Sequence, residues 1–269
     1  MLKLLISCLL AVISFDSYSA YIQRAPLSTD KCLQFFPFGF PKSGNSNTTF
    51  ICREGYALEY DKQAKIPLWA SYTLSAGKAL GCSKRASSFF VDASLPKNAS
   101  STVADFASPI YDIGHLVNSA DMRWSDEVSK ESNILSNTAP MKVELNRGSW
   151  KQLEDWIRTY VVENDTVVLI YVGTIRSSIS RTIGKNQVAV PEKFFKVVID
   201  LHKNSVMSFI YDQNAKSAPP NSFITSIEDV MLQAKIHLPI SINSKAVSKF
   251  PVMKNKTISN KKREMCSFD

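Results

Sequence analysis

Residues 111–124 read YDIGHLVNSADMRW, residues 133–141 NILSNTAPM and residues 143–162 VELNRGSWKQLEDWIRTYVV. Together these stretches decide the fold. An extended run, a polar loop, a second short run and an amphipathic segment predict strand, loop, strand, helix. The first strand ends in His115, one of 3 histidines in the chain. One continuous helix then carries Asn146 in its first turn, followed by Glu154 and Arg158. At about 100° per residue these helix positions fall within an arc of roughly 120°, so they look toward one site. Leu153, Ile157, Tyr160 and Val161 supply the apolar positions of the helix, which suit packing on a core.

Outward from this centre the chain alternates in the manner of strands. Residues 52–75, CREGYALEYDKQAKIPLWASYTLS, predict two strands joined by a polar turn at 61–65. Residues 166–175, TVVLIYVGTI, form a dense β-branched run that reads as a buried central strand. VAVPEKFFKVVIDL and SVMSFIYD give two more strands, and ITSIEDVMLQAKI a short helix with a Ser/Thr start and early acidic residues. The expected class is α+β, a central and mostly antiparallel sheet with flanking helices. Residues 20–50, with the aromatic patch FFPFGFP, read as a packed N-terminal extension, 51–243 as one domain, and 244–269 as a basic tail. There is no internal repeat and no Walker or dinucleotide-binding glycine pattern.

Composition narrows the partners and the compartment. Apolar residues make up 45% of the 269, enough for a substantial core and too many for disorder. The formal charge of +8, from 32 Lys and Arg against 24 Asp and Glu, favours polyanionic partners. Residues 1–19 read as a signal peptide: Lys3, an apolar stretch from Leu4 to Phe15, then small residues before a cut ahead of Ala20. That run is short for a membrane span, so no stable membrane insertion is expected. The expected location is secreted or periplasmic. Cys32, Cys52, Cys82 and Cys266 then remain, an even number without a Cys-x-x-Cys pair. Of three possible pairings the reading favours Cys32–Cys52, which closes a short loop, with Cys82–Cys266 tying down the tail.

The residues of the central stretch suit phosphate chemistry. Neutral imidazole is the usual general base near pH 7. An amide oxygen such as that of Asn146 suits a hard divalent cation that keeps most of its waters. Glu154 can hold such waters, or pair with Arg158 four residues on. Each of these residues alone has an ordinary structural use. In this order and spacing the set points to a site.

The set resembles the DNA/RNA non-specific endonuclease family, which includes endonuclease G and carries a ββα-metal (His-Me) finger. DIGHLVNSADMRW is similar to the family's Asp-Arg-Gly-His-Leu and Ala-Asp-x-Arg-Trp, LSNTAP to its Leu-Ser-Asn-x-x-Pro, and LNRGSWKQLE to its Leu-Asn-x-(Gly or Asn)-x-Trp-x-x-Leu-Glu. The similarity covers roughly residues 36–240. It implies that the finger packs on one side of the sheet. It implies that His115 activates the attacking water and that Asn146 is the direct ligand of one magnesium ion, manganese being the substitute. Glu154 would hold the ion's waters, and Arg158 and Arg85 would face the phosphate, with Arg123 and Arg147 as further substrate contacts. The implied enzyme is a sugar-non-specific endonuclease that leaves 5′-phosphates on DNA and RNA, as a monomer or homodimer.

Two positions depart from the family pattern. Ile113 stands where the motif has arginine, and Met141 where it has glutamine after Asn-x-x-Pro. Loss of one cationic contact to the transition state costs on the order of 2–4 kcal/mol unless Lys84, Arg147 or Arg123 compensates. The alternative reading follows from these departures: a catalytically weakened member acting as a secreted nucleic-acid or anionic-surface binding protein.

Overall fold

A computed structural model of the chain describes residue 23, residues 25–177 and 180–240, the backbone of 245–246, and Cys266. The expected signal peptide and most of the basic tail lie outside the described residues. The sheet begins ahead of residue 51. Thr48–Cys52 (β1) pairs with Ala57–Asp61 (β2), and β2 with Ile66–Ser75 (β3). The turn between β2 and β3 is built by Asp61, whose Oδ1 accepts from the backbone N–H groups of Gln63 and Ala64 at 2.9 Å. The chain then leaves the sheet for Tyr111–His115 (β4), Asp126–Ser132 (α1) and Thr138–Lys142 (β5). Val143–Arg147 (α2) and Ser149–Asn164 (α3) follow. It returns through Val167–Ile175 (β6), Lys193–Asp200 (β7), Ser205–Asp212 (β8) and Ile224–Thr225 (β9), and then Ile227–Ala234 (α4).

The main sheet runs β9-β8-β7-β6-β3-β2-β1, each neighbouring pair antiparallel, with Lys245–Ala246 lying parallel to the start of β8. Strand β6 is the centre, as its β-branched run requires, because it is covered on both faces. Ile170 and Val172 point to one layer, with Leu153, Ile157 and Val161 of α3. Leu169 and Tyr171 point to the other, with Phe35, Trp69 and Val230. Each fully buried aliphatic side chain here contributes about 1.5–3 kcal/mol. The aromatic N-terminal segment thus closes one face of the sheet, and the helix bearing the expected site residues closes the other.

The finger is the pair β4–β5 with α2 and α3. The pair puts Gly114 opposite Ala139 and His115 opposite Thr138. A Cβ on Gly114 would lie 2.5 Å from Met141 Cβ, so only glycine lets the strands close around Met141. One expectation is corrected. The helix expected across 143–162 is two helices, because Gly148 (φ −102°, ψ −114°) breaks it. A Cβ on Gly148 would meet the Glu144 carbonyl oxygen at 2.3 Å. Asn146 therefore sits on its own short helix rather than in the first turn of α3.

Two covalent bridges and one buried ion pair hold the periphery. The disulfides are Cys32–Cys52 and Cys82–Cys266, the pairing favoured from sequence. Arg53 and Asp92, both fully buried, meet at 2.9 Å. Asp92 also accepts from Ser94 and Ser136, which pins the loop after Arg85 to the segment leading into β5. Removing one member of a buried pair strands the other charge, so Asp92→Ala should cost about 3–5 kcal/mol in urea unfolding. Gly148→Ala should cost about 1–3 kcal/mol by forcing the α2–α3 junction apart.

Candidate active site

The α3 side of the sheet and the finger enclose a cavity of about 750 Å³. Its walls include His115, Asn146, Glu154, Arg158, Arg85, Arg123 and Arg147, so the structure brings all seven expected residues to one place. Asp112, Ile113, Phe89 and Lys151 also line it. Lys84 does not line it, and Met141 is fully buried in the finger's core.

His115 is oriented by a residue that the sequence reading quoted but did not single out. Asn133 Oδ1 lies 2.9 Å from His115 Nε2. The Asn133 amide nitrogen donates to the carbonyls of Ala86 and Ser88, both at 3.0 Å. Carbonyls only accept, so the amide cannot flip, and the oxygen must face the imidazole. Nε2 therefore carries the proton, and Nδ1 keeps the lone pair. Phe89 lies against the ring at 5.1 Å between centroids. Burial pushes the imidazole down to about 4, further lowered by the Arg85 charge and opposed by the Asn133 hydrogen bond. The base is thus neutral throughout the neutral range.

Asp112 does for Asn146 what Asn133 does for His115. Strand alternation places it, three residues before His115, on the opposite face of the strand, yet it lines the same cavity. Its Oδ2 accepts from Asn146 Nδ2 at 2.9 Å, and its two oxygens take Arg147 in a bidentate pair at 2.9 and 2.7 Å. Burial pushes this carboxyl up, but the hydrogen bonds from Arg147 and Asn146 outweigh it and hold the group below the usual range. With Nδ2 so engaged, the Asn146 Oδ1 accepts no hydrogen bond among the described residues.

Of the two uses open to Glu154 in the sequence, the pair with Arg158 is not formed among the described residues. Arg158, 8% exposed, donates from Nη1 to Asp121 at 2.7 Å and from Nη2 to Asp155. Asp121 is in turn fixed by Tyr72, whose hydroxyl donates at 2.8 Å. Glu154 meets Lys196 of β7 at 3.5 Å. Burial pushes Glu154 up, against the pull of Lys196 and Arg158. Burial likewise pushes Lys196 down, against the pull of Glu154 and Asp121. The signal for Lys196 was in the sequence, a lone charge inside FFKVVI. Arg123 is half-buried and tied through Nε to the Ser83 carbonyl.

The donor set suits a hard cation. No group of three His, Cys, Asp or Glu able to hold a metal occurs among the described residues. What lines the cavity instead is an amide oxygen at Asn146 and a carboxylate at Glu154, ligands that fit an ion keeping most of its waters.

The DNA/RNA non-specific endonuclease family model matches residues 33–238. The chain belongs to that family. Human mitochondrial endonuclease G is 34% identical over 160 residues, 55% of this chain and 53% of that protein. The Xenopus laevis mitochondrial nuclease EXOG is 28% identical over 210 residues, 74% of this chain and 57% of that one. The chain thus spans about half the length of the curated relatives it matches. A crystal structure of the EndoG/EndoGI complex shares the fold, with a TM-score of 0.72 over 82% of this chain and 97% of that one at 24% identity. Against the family pattern, Ile113 stands in the cavity wall, with the exposed Arg147 guanidinium lining the same cavity.

The His115 geometry carries a pH signature. The unfolded chain takes up the imidazole proton near 6.5, the folded one only near 4, so the unfolded state binds more protons between these values. This group's contribution to stability is complete above pH 6.5 and is lost as pH falls toward 4. His115→Gln should remove that part of the pH dependence of urea unfolding, and an NMR titration of the wild-type imidazole should find its midpoint well below 6.5.

Proposed function

We propose that this chain is an exported, magnesium-dependent endonuclease that hydrolyses DNA and RNA with little sequence preference. The observation that carries the reading is the single cavity uniting a tautomer-fixed His115 with the Asn146 amide oxygen, Glu154 and four arginines. Export is supported by the apolar run behind Lys3 and by two disulfides, which persist in oxidising compartments. No helix among the described residues is long and apolar enough to cross a membrane.

In this mechanism His115 Nδ1 takes a proton from a water as its oxygen attacks phosphorus. The bond from phosphorus to the 3′ oxygen breaks, that oxygen leaves with a proton from solvent, and the phosphate stays on the 5′ side. Asn133 keeps the accepting nitrogen unprotonated and aligned. Arg158, locked by Asp121 and Asp155, and Arg85, on the loop that Asn133 anchors, face the phosphate oxygens. Arg123 and Arg147 extend the positive wall. Asn146, held by Asp112, and Glu154 would hold a hydrated divalent cation, which supplies charge to the phosphate and the leaving oxygen. No side chain in this scheme reads a base edge, so recognition is through phosphate and weakens with salt, by a log–log slope of about −0.9 per phosphate neutralised.

Ile113 supports the second reading, a weakened member that binds nucleic acid without efficient cleavage. Digestion of supercoiled plasmid and of RNA separates the two. Magnesium-dependent cutting of both, abolished by EDTA and reduced at least about 100-fold in His115→Ala, is the expected result. A folded, disulfide-intact protein that retains DNA and cuts neither substrate would overturn the enzyme reading.

A further inference from the structure

Behind Glu154, which lines the cavity, lies Lys196, which the catalytic scheme above does not use. It stands mid-strand in β7, opposite Val172 of β6 and Phe209 of β8, and its side chain is 0% exposed. A cation there loses its hydration and needs a partner. Among the described residues its Nζ meets Glu154 Oε1 at 3.5 Å and lies 4.5 Å from the Trp150 ring centre. Trp150 Nε1 and Tyr211 Oη, in rings packed together at 5.5 Å, are buried with no hydrogen-bond partner among the described residues.

Stability alone does not account for this lysine. A single buried ion pair at 3.5 Å is often no more stabilising than well-packed apolar side chains at both positions, which would carry no desolvation cost. The pair does fix the direction of the Glu154 carboxylate. Arg158, the neighbour one helical turn on, makes no hydrogen bond to it among the described residues, and its terminal nitrogens are directed at Asp121 and Asp155. Among the described residues Lys196 is the hydrogen-bond partner of Glu154.

We propose that Lys196 is a positioning residue, a buried donor that holds the Glu154 carboxylate toward the cavity so that it can order the water shell of a divalent cation. This rests on the nuclease reading for the use of Glu154, not for the contact itself.

The test is a double-mutant cycle of Lys196→Met and Glu154→Gln on the full chain. It reads Mn2+ binding to the free protein by electron paramagnetic resonance, kcat and KM on a defined duplex with Mg2+, and thermal unfolding. Lys196→Met should stay folded but unfold below the wild-type temperature, because it takes the partner from the buried Glu154 carboxylate, and it should weaken Mn2+ binding about 10–100-fold, with kcat falling and KM for nucleic acid unchanged. Added to Glu154→Gln it should change neither Mn2+ binding nor kcat further. Lys196→Gln, which keeps a donor, should fall between wild type and Lys196→Met. Equal losses from Lys196→Met in both backgrounds would mean that Lys196 does not act through Glu154, and the assignment would fall; wild-type behaviour in Lys196→Met would sink it as well. Should the wild type bind Mn2+ in a Lys196-dependent way yet cut nothing, the nuclease reading fails and the positioning role stands.

Discussion

The site depends on the burial of one helix against one face of the sheet. Leu153, Ile157 and Val161 lie on α3 with the side chains of Ile170 and Val172 on β6. That contact fixes the axis of α3, and with it the positions of Glu154 and Arg158 on the adjoining flank of the helix. The β4–β5 pair is only two strands wide and would be marginal alone. It is braced by the same core, into which Met141, Leu145 and Trp150 point. The apolar layer is therefore the reference frame of the chemistry, and the polar residues are aimed relative to it.

Around that frame the site is built from rotors that have been locked in turn. Asn133 fixes His115, Asp112 fixes Asn146 and Arg147, and Asp121 fixes Arg158 while itself held by Tyr72. A side chain that must act on phosphate gains little from a charge that wanders, because preorganised dipoles cost no reorganisation at the moment of reaction. The locks come from elements far apart in sequence. The hydrogen bond from Tyr72 to Asp121 spans 49 positions, and the pair between Lys196 and Glu154 spans 42.

This distance separates what the sequence shows from what it hides. The central strand, the two-strand unit before it and the short C-terminal helix were legible because each is governed by local periodicity. His115, Asn146, Glu154 and Arg158 were legible because spacing and resemblance agree on them. The break at Gly148 was not, since a single glycine in a helical pattern is common and its meaning lies in the carbonyl it would strike. The partner of Glu154 was hidden for a related reason. An i,i+4 rule offers Arg158, and only the packing of α3 over β7 reveals that Lys196 is nearer to hand while Arg158 is otherwise engaged. The place of Asp112 was hidden because strand alternation says where a side chain leaves the backbone, not which cavity it finally borders.

The bridge from Cys82 to Cys266 spans 184 positions, so the finger, α3 and strands β6 to β9 all lie within one covalent loop. Cutting any exposed turn in that loop would leave two pieces still joined at Cys82. The severed segment would face its own site at the effective concentration of a tethered partner rather than at that of a free fragment. Damage to the chain is thereby turned from a dissociation into a local opening, and reduction of a single bond decides between the two.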